Sequence, residues 1–186
     1  MRIISGEYRG RRLKAVPGMK TRPTTDKVKE AMFNIIGPYF AGGVALDLFA
    51  GSGGLSIEGV SRGMTAAYQV DRQYQAIKVI KDNNAVTKNP DKFKVLKMDA
   101  WRALEYFLKK GITFDYVFLD PPYKKQQIIA MLDEMVTKKL LNPGAVIVCE
   151  TDLEADLPQA LPQFAGLRQA KYGITLVTVY QYKGAE

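Results

Sequence analysis

The chain has 186 residues, of which 47% are hydrophobic, and a formal net charge of +8. This size suits one domain with a full core, and no apolar run of about 18 residues predicts a membrane span. The absence of histidine excludes histidine-based triads and metal sites. With Cys149 as the single cysteine there is no intrachain disulfide, and we expect a cytoplasmic protein without a metal.

The first 29 residues hold most of the net charge. They contain nine lysines or arginines and two acids, which together account for +7 of the total +8. The stretch GEYRGRRL predicts an ordered hairpin, because glycine and arginine alternate in it with Tyr8 and Leu13. A basic arm on a nearly neutral body indicates a polyanionic partner, although a solvated terminus would have the same composition.

The next segment, RPTTDKVKEAMFNIIGP, predicts a helix that Thr24 or Thr25 caps and a Gly-Pro pair ends. Its apolar residues recur on one stripe: Val28, Ala31, Met32, Ile35 and Ile36. Lys27 and Lys29 lie off that stripe. We therefore expect both lysines to extend the basic surface.

From residue 44 onward, short apolar runs alternate with helical patterns. Strands are predicted at 44–49, 66–71, 93–99, 114–120 and 145–150, and helices near 54–62, 72–86, 100–110 and 126–138. The runs at 167–173 and 174–182 leave no room for a helix between them and predict an antiparallel hairpin. The pattern indicates an α/β fold with a mostly parallel seven-stranded sheet, a C-terminal antiparallel hairpin and helices on both faces.

Four predicted strands carry an aspartate at or near the C-terminal end: Asp47, Asp71, Asp99 and Asp120. The carboxyl ends of parallel strands line the crevice where α/β proteins bind ligands. Any one of these acids could instead cap the following helix. Four in successive strands predict a site that takes hydroxyls, amines or positive charge.

The first strand runs into a glycine-rich loop, LFAGSGGLSIE. Gly51, Gly53 and Gly54 allow a tight turn and the close approach of a ligand to the following helix. The dinucleotide-binding fingerprint would need glycine where the chain has Ser56. Asp71 ends the next strand, where an acid would receive two ribose hydroxyls. The combination predicts an adenosine-type cofactor, and both NAD and S-adenosylmethionine fit it.

Asp99 in KMDAW has two interpretations of equal weight. It could accept the exocyclic amine of an adenine bordered by Ala100 and Trp101. It could also simply cap the helix that begins near Ala100.

The stretch FLDPPY favours S-adenosylmethionine over NAD. The Asp120 carboxylate and the Pro121 carbonyl accept hydrogen bonds only, so they can hold both N–H groups of an exocyclic amine toward a sulfonium methyl group. Pro122 stiffens the loop, and Tyr123 offers a ring on which a flipped base can stack. A hydride-transfer site has no particular need of such a strand tip. These four residues are therefore the candidate catalytic residues.

Five stretches carry a resemblance to a known family: RIISGEYRGRRLKAV, RPTTDKVKEAMFNII, LDLFAGSGGLSIEGVSRG, VFLDPPY and KYGITLVTVY. The chain resembles the class I S-adenosylmethionine-dependent methyltransferases with a D/N-P-P-Y/F motif and, more narrowly, the RsmD family of bacterial 16S rRNA guanine-N2 methyltransferases. The resemblance covers nearly the whole chain. It implies a Rossmann-like catalytic domain at 44–186, preceded at 1–43 by a basic hairpin and helix.

The resemblance also implies the activity, the partners and the binding residues. We expect methylation of N2 on one guanine of 16S rRNA or the small ribosomal subunit, S-adenosylhomocysteine as product, no membrane partner and a monomer. The expected cofactor residues are Asp47, Phe49, Ala50, Gly51, Ser52, Gly53, Asp71, Arg72, Asp99 and Ala100. The expected RNA-binding residues are Arg9, Arg11, Arg12, Arg22, Thr24 and Lys27. The chain departs from many relatives at Gln73, where they have a second acid.

Three alternatives stay open at this point. An adenine-N6 methyltransferase on DNA or RNA would use the same Asp-Pro-Pro-Tyr tip, since only the family resemblance points to guanine. An NAD-dependent oxidoreductase fits the glycine loop less well because of Ser56. A non-catalytic RNA-binding protein could have the same fold and the same basic arm.

Overall fold

The structure is a computed structural model that describes residues 1–18, 24–121 and 126–185. The helices are α1 (Asp26–Ile36), α2 (Gly54–Ser61), α3 (Tyr74–Val86), α4 (Ala100–Lys110) and α5 (Gln126–Thr137). The strands are β1 (Val44–Asp47), β2 (Ala66–Asp71), β3 (Phe93–Lys97), β4 (Phe114–Leu119), β5 (Leu141–Asp152), β6 (Phe164–Tyr172) and β7 (Thr175–Tyr182). Among the residues described, no helix is both long and apolar enough to cross a membrane.

The strands form one seven-stranded sheet in the order β3-β2-β1-β4-β5-β7-β6. The first five of these are parallel, whereas β7 is antiparallel to both β5 and β6. This confirms the predicted mostly parallel sheet with its C-terminal hairpin. The strand order reverses between β1 and β4, which is the point where open α/β sheets bind ligands.

Helices cover both faces of the sheet, as predicted. Successive residues of a strand point to opposite faces, so Ala45 and Leu46 of β1 belong to different cores. Leu46 packs with Phe107 of α4 and with Met131 of α5. Ala45 packs in the core that contains Phe33 of α1 and residues of α2. Each face therefore buries its own apolar layer.

The predicted N-terminal hairpin is confirmed, and it packs tightly on the body. Arg2 and Arg12 form an antiparallel bridge, and the side chains of Ile3, Tyr8 and Leu13 are buried in the same core as α1. A Cβ on Gly6 (φ +90°) would lie 1.9 Å from the carbonyl oxygen of Ser61 in α2. Only glycine permits this close approach. The division into an N-terminal extension at 1–43 and a catalytic domain at 44–186 stays a prediction.

The prediction that Lys29 extends the basic surface is wrong. Helix α1 begins as expected, with Thr25 accepting a hydrogen bond from Val28 N, but the Lys29 side chain is only 1% exposed. The hairpin packs on the polar side of α1, so Lys29 Nζ donates to Arg2 O at 2.7 Å and lies 3.4 Å from Glu58 Oε1. Burial lowers the pKa of Lys29, and attraction to Glu58 opposes this.

Glu58 of α2 is the centre of a buried ion cluster, which consists of Lys29, Glu58 and Arg62. Its side chain is 0% exposed and lies 2.8 Å from Arg62 Nε. It also accepts hydrogen bonds from the backbone of the hairpin, at 2.9 Å from Ile4 N and 3.1 Å from Ser5 N. The cluster therefore joins the hairpin, α1 and α2.

Strand β5 is twice as long as the predicted run at 145–150. It spans Leu141–Asp152, because it pairs with β4 in parallel along one edge and with β7 in antiparallel fashion along the other. The antiparallel pairing continues to Asp152, opposite Thr175. This second partner carries the strand beyond the point where its parallel neighbour ends.

Candidate active site

A cavity of about 610 Å³ opens at the carboxyl ends of the strands, beside the switch point between β1 and β4. One wall is the N-terminal segment Ala15–Gly18, and another is the loop between β1 and α2. Nine of the ten predicted cofactor residues line this cavity, together with Asp120, Pro121 and Thr24. Sequence reasoning missed the wall at Ala15–Gly18, since nothing in that stretch indicates a ligand contact.

The glycine loop has the conformation that its sequence predicts. Gly51 (φ +56°) and Gly53 (φ +81°) are both in the left-handed region that favours glycine. Gly51 lines the cavity, whereas Gly53 is buried as the N-terminal cap of α2. Gly53 therefore shapes the turn, and its predicted contact with a cofactor stays a prediction.

Asp71 ties the end of β2 to the glycine loop. Its Oδ2 accepts from Gly51 N at 3.0 Å, and its Oδ1 accepts from Gln73 N at 2.9 Å. A carboxylate offers about four lone-pair sites, so these two bonds leave capacity for hydroxyl donors from the cavity. The arrangement fits the predicted ribose contact.

Asp47 is fixed by Ser56, the residue that departs from the dinucleotide fingerprint. The hydroxyl of Ser56 donates to Asp47 Oδ2 at 2.7 Å and accepts from Gln69 Nε2 at 3.0 Å. Asp47 is 2% exposed, and this burial raises its pKa to about 6, while the bonds from Ser56 act in the opposite direction. The serine thus has a structural role that glycine would not provide.

Asp99 caps helix α4 and also reaches the cavity. Its Oδ2 accepts from Trp101 N at 3.0 Å and from Arg102 N at 3.4 Å. Met98, Asp99 and Ala100 all line the cavity. The cap is therefore observed, and the contact with an adenine amine stays a prediction.

Asp120 and Pro121 directly follow β4 and open into the cavity. The protein around the cavity limits the hydration of Asp120, and this raises its pKa well above the usual range. Repulsion from Glu150 and then from Asp47 raises it further. Pro122 and Tyr123 lie outside the described residues.

Glu150 is a site residue that sequence reasoning missed. The pairing of Leu119 with Cys149 places Glu150 beside Asp120 at the edge of the sheet. The residue is 9% exposed and accepts from Thr24 Oγ1 at 2.5 Å. Burial raises the pKa of Glu150, and the bond from Thr24 opposes this. A signal was present, since AVIVCE ends in an acid as three of the other four runs do.

Asp47, Asp120 and Glu150 form an acid row along this end of the sheet. The pKa of each is raised, in each case first by burial and, for Asp47 and Asp120, also by other acids of the site. No ion pair within 1–18, 24–121 and 126–185 involves these three carboxylates. Lys29 also reaches the cavity wall, but its ion pair is with Glu58. The row favours a ligand that provides hydrogen-bond donors or positive charge.

The predicted RNA-binding residues differ in where they lie. Arg9, Arg12 and Lys27 are exposed, and Thr24 lines the cavity. Arg11 is half-buried, because its Nη1 donates to the carbonyls of Val86 and Thr87 at 3.0 and 2.9 Å. Its role in the structure is to hold the hairpin against the end of α3. Arg22 lies outside the described residues.

Comparison with known proteins identifies the family. The model of a family described as "Conserved hypothetical protein 95" matches residues 1–181. A Bacillus subtilis protein named "Putative rRNA methyltransferase YlbH" is 47% identical over 99% of this chain and 100% of its own length. A Haemophilus influenzae protein named "Ribosomal RNA small subunit methyltransferase D" is 34% identical over 97% of this chain and 93% of its own. The chain belongs to the RsmD family.

The fold agrees with this membership. A solved Escherichia coli structure, described as "Putative methyltransferase yhhF", is 30% identical to this RsmD-family chain. The two superimpose with a TM-score of 0.83 over 100% of this chain and 99% of the other. The seven-stranded sheet with its antiparallel C-terminal strands is the class I methyltransferase fold that the sequence predicted.

Proposed function

We propose that this RsmD-family protein transfers a methyl group from S-adenosylmethionine to the exocyclic N2 amine of a guanine in small-subunit rRNA. The observation that carries the proposal is that Asp120 and Pro121 open into the same cavity as the glycine loop and Asp71. A group that holds an amine thus shares one cavity with groups that suit an adenosine.

The residues of the cavity fit the cofactor. A volume of about 610 Å³ is in the range of small-molecule sites. Asp71 has lone pairs for ribose hydroxyls, Gly51 allows close approach, and Met98 and Ala100 border the place for an adenine. S-adenosylmethionine, when bound, would supply an electrophilic methyl group and a positive charge, which the acid row complements. No group of residues in the described part of the chain suits a metal ion.

Asp120 and Pro121 position the amine, and the Asp120 carboxylate receives its proton. An exocyclic amine is a poor nucleophile because its lone pair is delocalised into the ring. Two acceptor-only groups that bind both of its N–H bonds fix the nitrogen for in-line attack. The amine must lose one proton as the new N–C bond forms. The raised pKa of Asp120 makes its carboxylate a better acceptor for that proton.

The proposed RNA substrate rests on the exposed basic residues and on the relatives. Arg9, Arg12 and Lys27 lie at the surface, where arginine and lysine bind phosphates. The Haemophilus influenzae relative is named for the small-subunit RNA, and it matches 97% of this chain. We propose that the N-terminal hairpin binds the rRNA backbone beside the cavity.

Methyl transfer to defined RNA tests the proposal. Small subunits and free 16S rRNA from cells that lack the protein are incubated with labelled S-adenosylmethionine, and large subunits serve as the control. We expect label in the small-subunit RNA and N2-methylguanosine in its nucleoside digest by mass spectrometry. N6-methyladenosine as the product would contradict the proposal in favour of an adenine methyltransferase, because Asp120 and Pro121 suit either amine.

A further inference from the structure

We propose that Thr24 and Glu150 select guanine. Glu150 accepts the hydrogen bond that the Thr24 hydroxyl donates, so the Thr24 oxygen faces the edge of the target base only as an acceptor. The inference rests on the proposed function, because it concerns the base that enters the same cavity. It assigns a specificity role to a threonine before α1 and to an acid that does not itself line the cavity.

In the hydrogen bond between Thr24 and Glu150, the threonine is the donor. Thr24 Oγ1 donates a hydrogen bond of 2.5 Å to Glu150 Oε2. Burial raises the pKa of Glu150, and this bond lowers it by stabilising the ionised form. A hydroxyl group has one proton to donate, and an ionised carboxylate has none. Thr24 therefore donates to Glu150, and only the lone pairs of its oxygen remain for other partners.

Thr24 and Glu150 lie close to Asp120, the residue proposed to hold the amine. Thr24 lines the cavity, whereas Glu150 is 9% exposed. Glu150 is also the neighbour of Asp120 across the β4–β5 pair, and adjacent strands lie about 4.8 Å apart. Glu150 thus adjoins both Thr24 and the residue that holds the amine. Thr24, Asp120 and Pro121 together give this part of the cavity hydrogen-bond acceptors.

These acceptors suit the Watson–Crick edge of guanine better than that of adenine or cytosine. The Watson–Crick edge of guanine places the N1–H donor next to the N2 amine. Adenine and cytosine instead place a ring nitrogen with a lone pair next to their amines. If Asp120 and Pro121 hold the amine, the Thr24 oxygen attracts N1–H of guanine and repels the lone pair of the other two bases. The pair thereby distinguishes amines that Asp120 and Pro121 alone would treat alike.

A purely structural role for the Thr24–Glu150 bond makes a different prediction. In that case the bond only ties the start of α1 to β5, and its loss would change stability without changing the choice of base. The two roles are separated by two RNA substrates that differ at the base edge and share the same amine. Guanosine and 2-aminopurine riboside meet this condition, because 2-aminopurine has a lone pair where guanine has N1–H.

The experiment measures kcat/KM for methyl transfer to rRNA with either base at the position that the wild-type protein modifies. We expect the wild type to prefer guanosine by about tenfold or more, the effect of one mispaired group at a buried site. Thr24→Val should bring the ratio close to one, because it removes the lone pair, and Glu150→Gln should lower the ratio, because an amide can donate to the Thr24 oxygen as well as accept from it. Thr24→Ser should keep the wild-type ratio, since it retains the hydroxyl group.

The controls separate failure of this inference from failure of the proposed function. Glu30→Gln removes an exposed charge from α1 and should leave the ratio unchanged. Calorimetric affinity for S-adenosylmethionine and the melting temperature confirm that each variant is folded. An unchanged ratio in both Thr24→Val and Glu150→Gln, with N2-methylguanosine still formed, overturns the inference alone. A wild type that forms no N2-methylguanosine overturns the proposed function and the inference with it.

Discussion

The molecule treats the buried carboxylate of Glu58 and the carboxylates of the acid row in opposite ways. In the buried ion cluster, Glu58 contacts Lys29, Arg62 and two backbone amides of the N-terminal hairpin. In the acid row, Asp47 and Glu150 are each bound by hydroxyl groups, and Asp120 faces the cavity. The first group is neutralised by the fold. The acid row has no cationic partner in an ion pair within the described residues.

The difference shows which carboxylates serve the structure and which serve a site. A buried acid with two cationic partners is expensive to disrupt, because each remaining charge would lose its compensation. Acids that repel one another destabilise the folded state and persist where the site needs them. Three measurements test this contrast.

The largest expected effect is on the rate, at Asp120. Asp120→Ala should reduce methyl transfer to small-subunit RNA about a thousandfold, because the amine loses both its positioning group and its proton acceptor. The affinity for S-adenosylmethionine by calorimetry should persist, and the urea midpoint should not fall, since a repelled charge is removed. Asp91→Ala, at an exposed turn, is the matched control. Near-wild-type turnover by Asp120→Ala would contradict the mechanism.

The next effect is on stability, at Glu58. Glu58→Gln should lower the free energy of unfolding by about 3–5 kcal/mol, because it leaves Lys29 and Arg62 buried without a counter-charge. Urea denaturation measures the change. Glu105→Gln breaks the ion pair between Lys138 and a largely exposed carboxylate, and it should cost much less because solvent screens that charge. Equal losses of unfolding free energy in the two variants would contradict a larger contribution from the buried ion cluster.

The smallest effect is on the pH dependence of stability, at Asp47. Its pKa of about 6 exceeds the ordinary value of 3.8, so between these values the folded protein holds a proton that the unfolded chain releases. The free energy of unfolding should therefore fall as pH rises from 4 to 6, by up to about 3 kcal/mol from this residue. Asp47→Asn should remove this contribution in urea titrations at several pH values, and Asp91→Asn should not. If the free energy of unfolding had the same slope against pH in the wild type and in Asp47→Asn, the raised pKa of Asp47 would be refuted.

Much of the fold and of the site was predictable, because strand and helix periods are local properties of the sequence. All seven strands, the five helices of the described chain and the two-faced core follow from them. Asp47, Asp71, Asp99 and Asp120 line one cavity because parallel strands end at the same edge of the sheet.

The errors arose where a residue depends on distant parts of the chain. Lys29 lies off the apolar stripe of α1, but it is buried because Glu58 and the hairpin surround it. Glu150 was overlooked although it ends the predicted run at 145–150, because its place in the site depends on Thr24, which lies 126 positions away in the chain. The RNA-binding role of Arg11 stays a prediction, and its bonds to the end of α3 were not foreseen because they join residues 75 and 76 positions apart.

The N-terminal hairpin also has a consequence for the order in which the protein is made. Its backbone and side chains bind Ser61, Asn83 and Val86, which follow their partners by 53, 69 and 75 positions in the chain. The hairpin is synthesised before these partners and must therefore wait until α3 has been synthesised before it finds its neighbours. Because Ala15–Gly18 form a wall of the cavity, the cavity cannot be completed during early synthesis. The hairpin is thus translated before its partners in α2 and α3 and reaches its final place only after them.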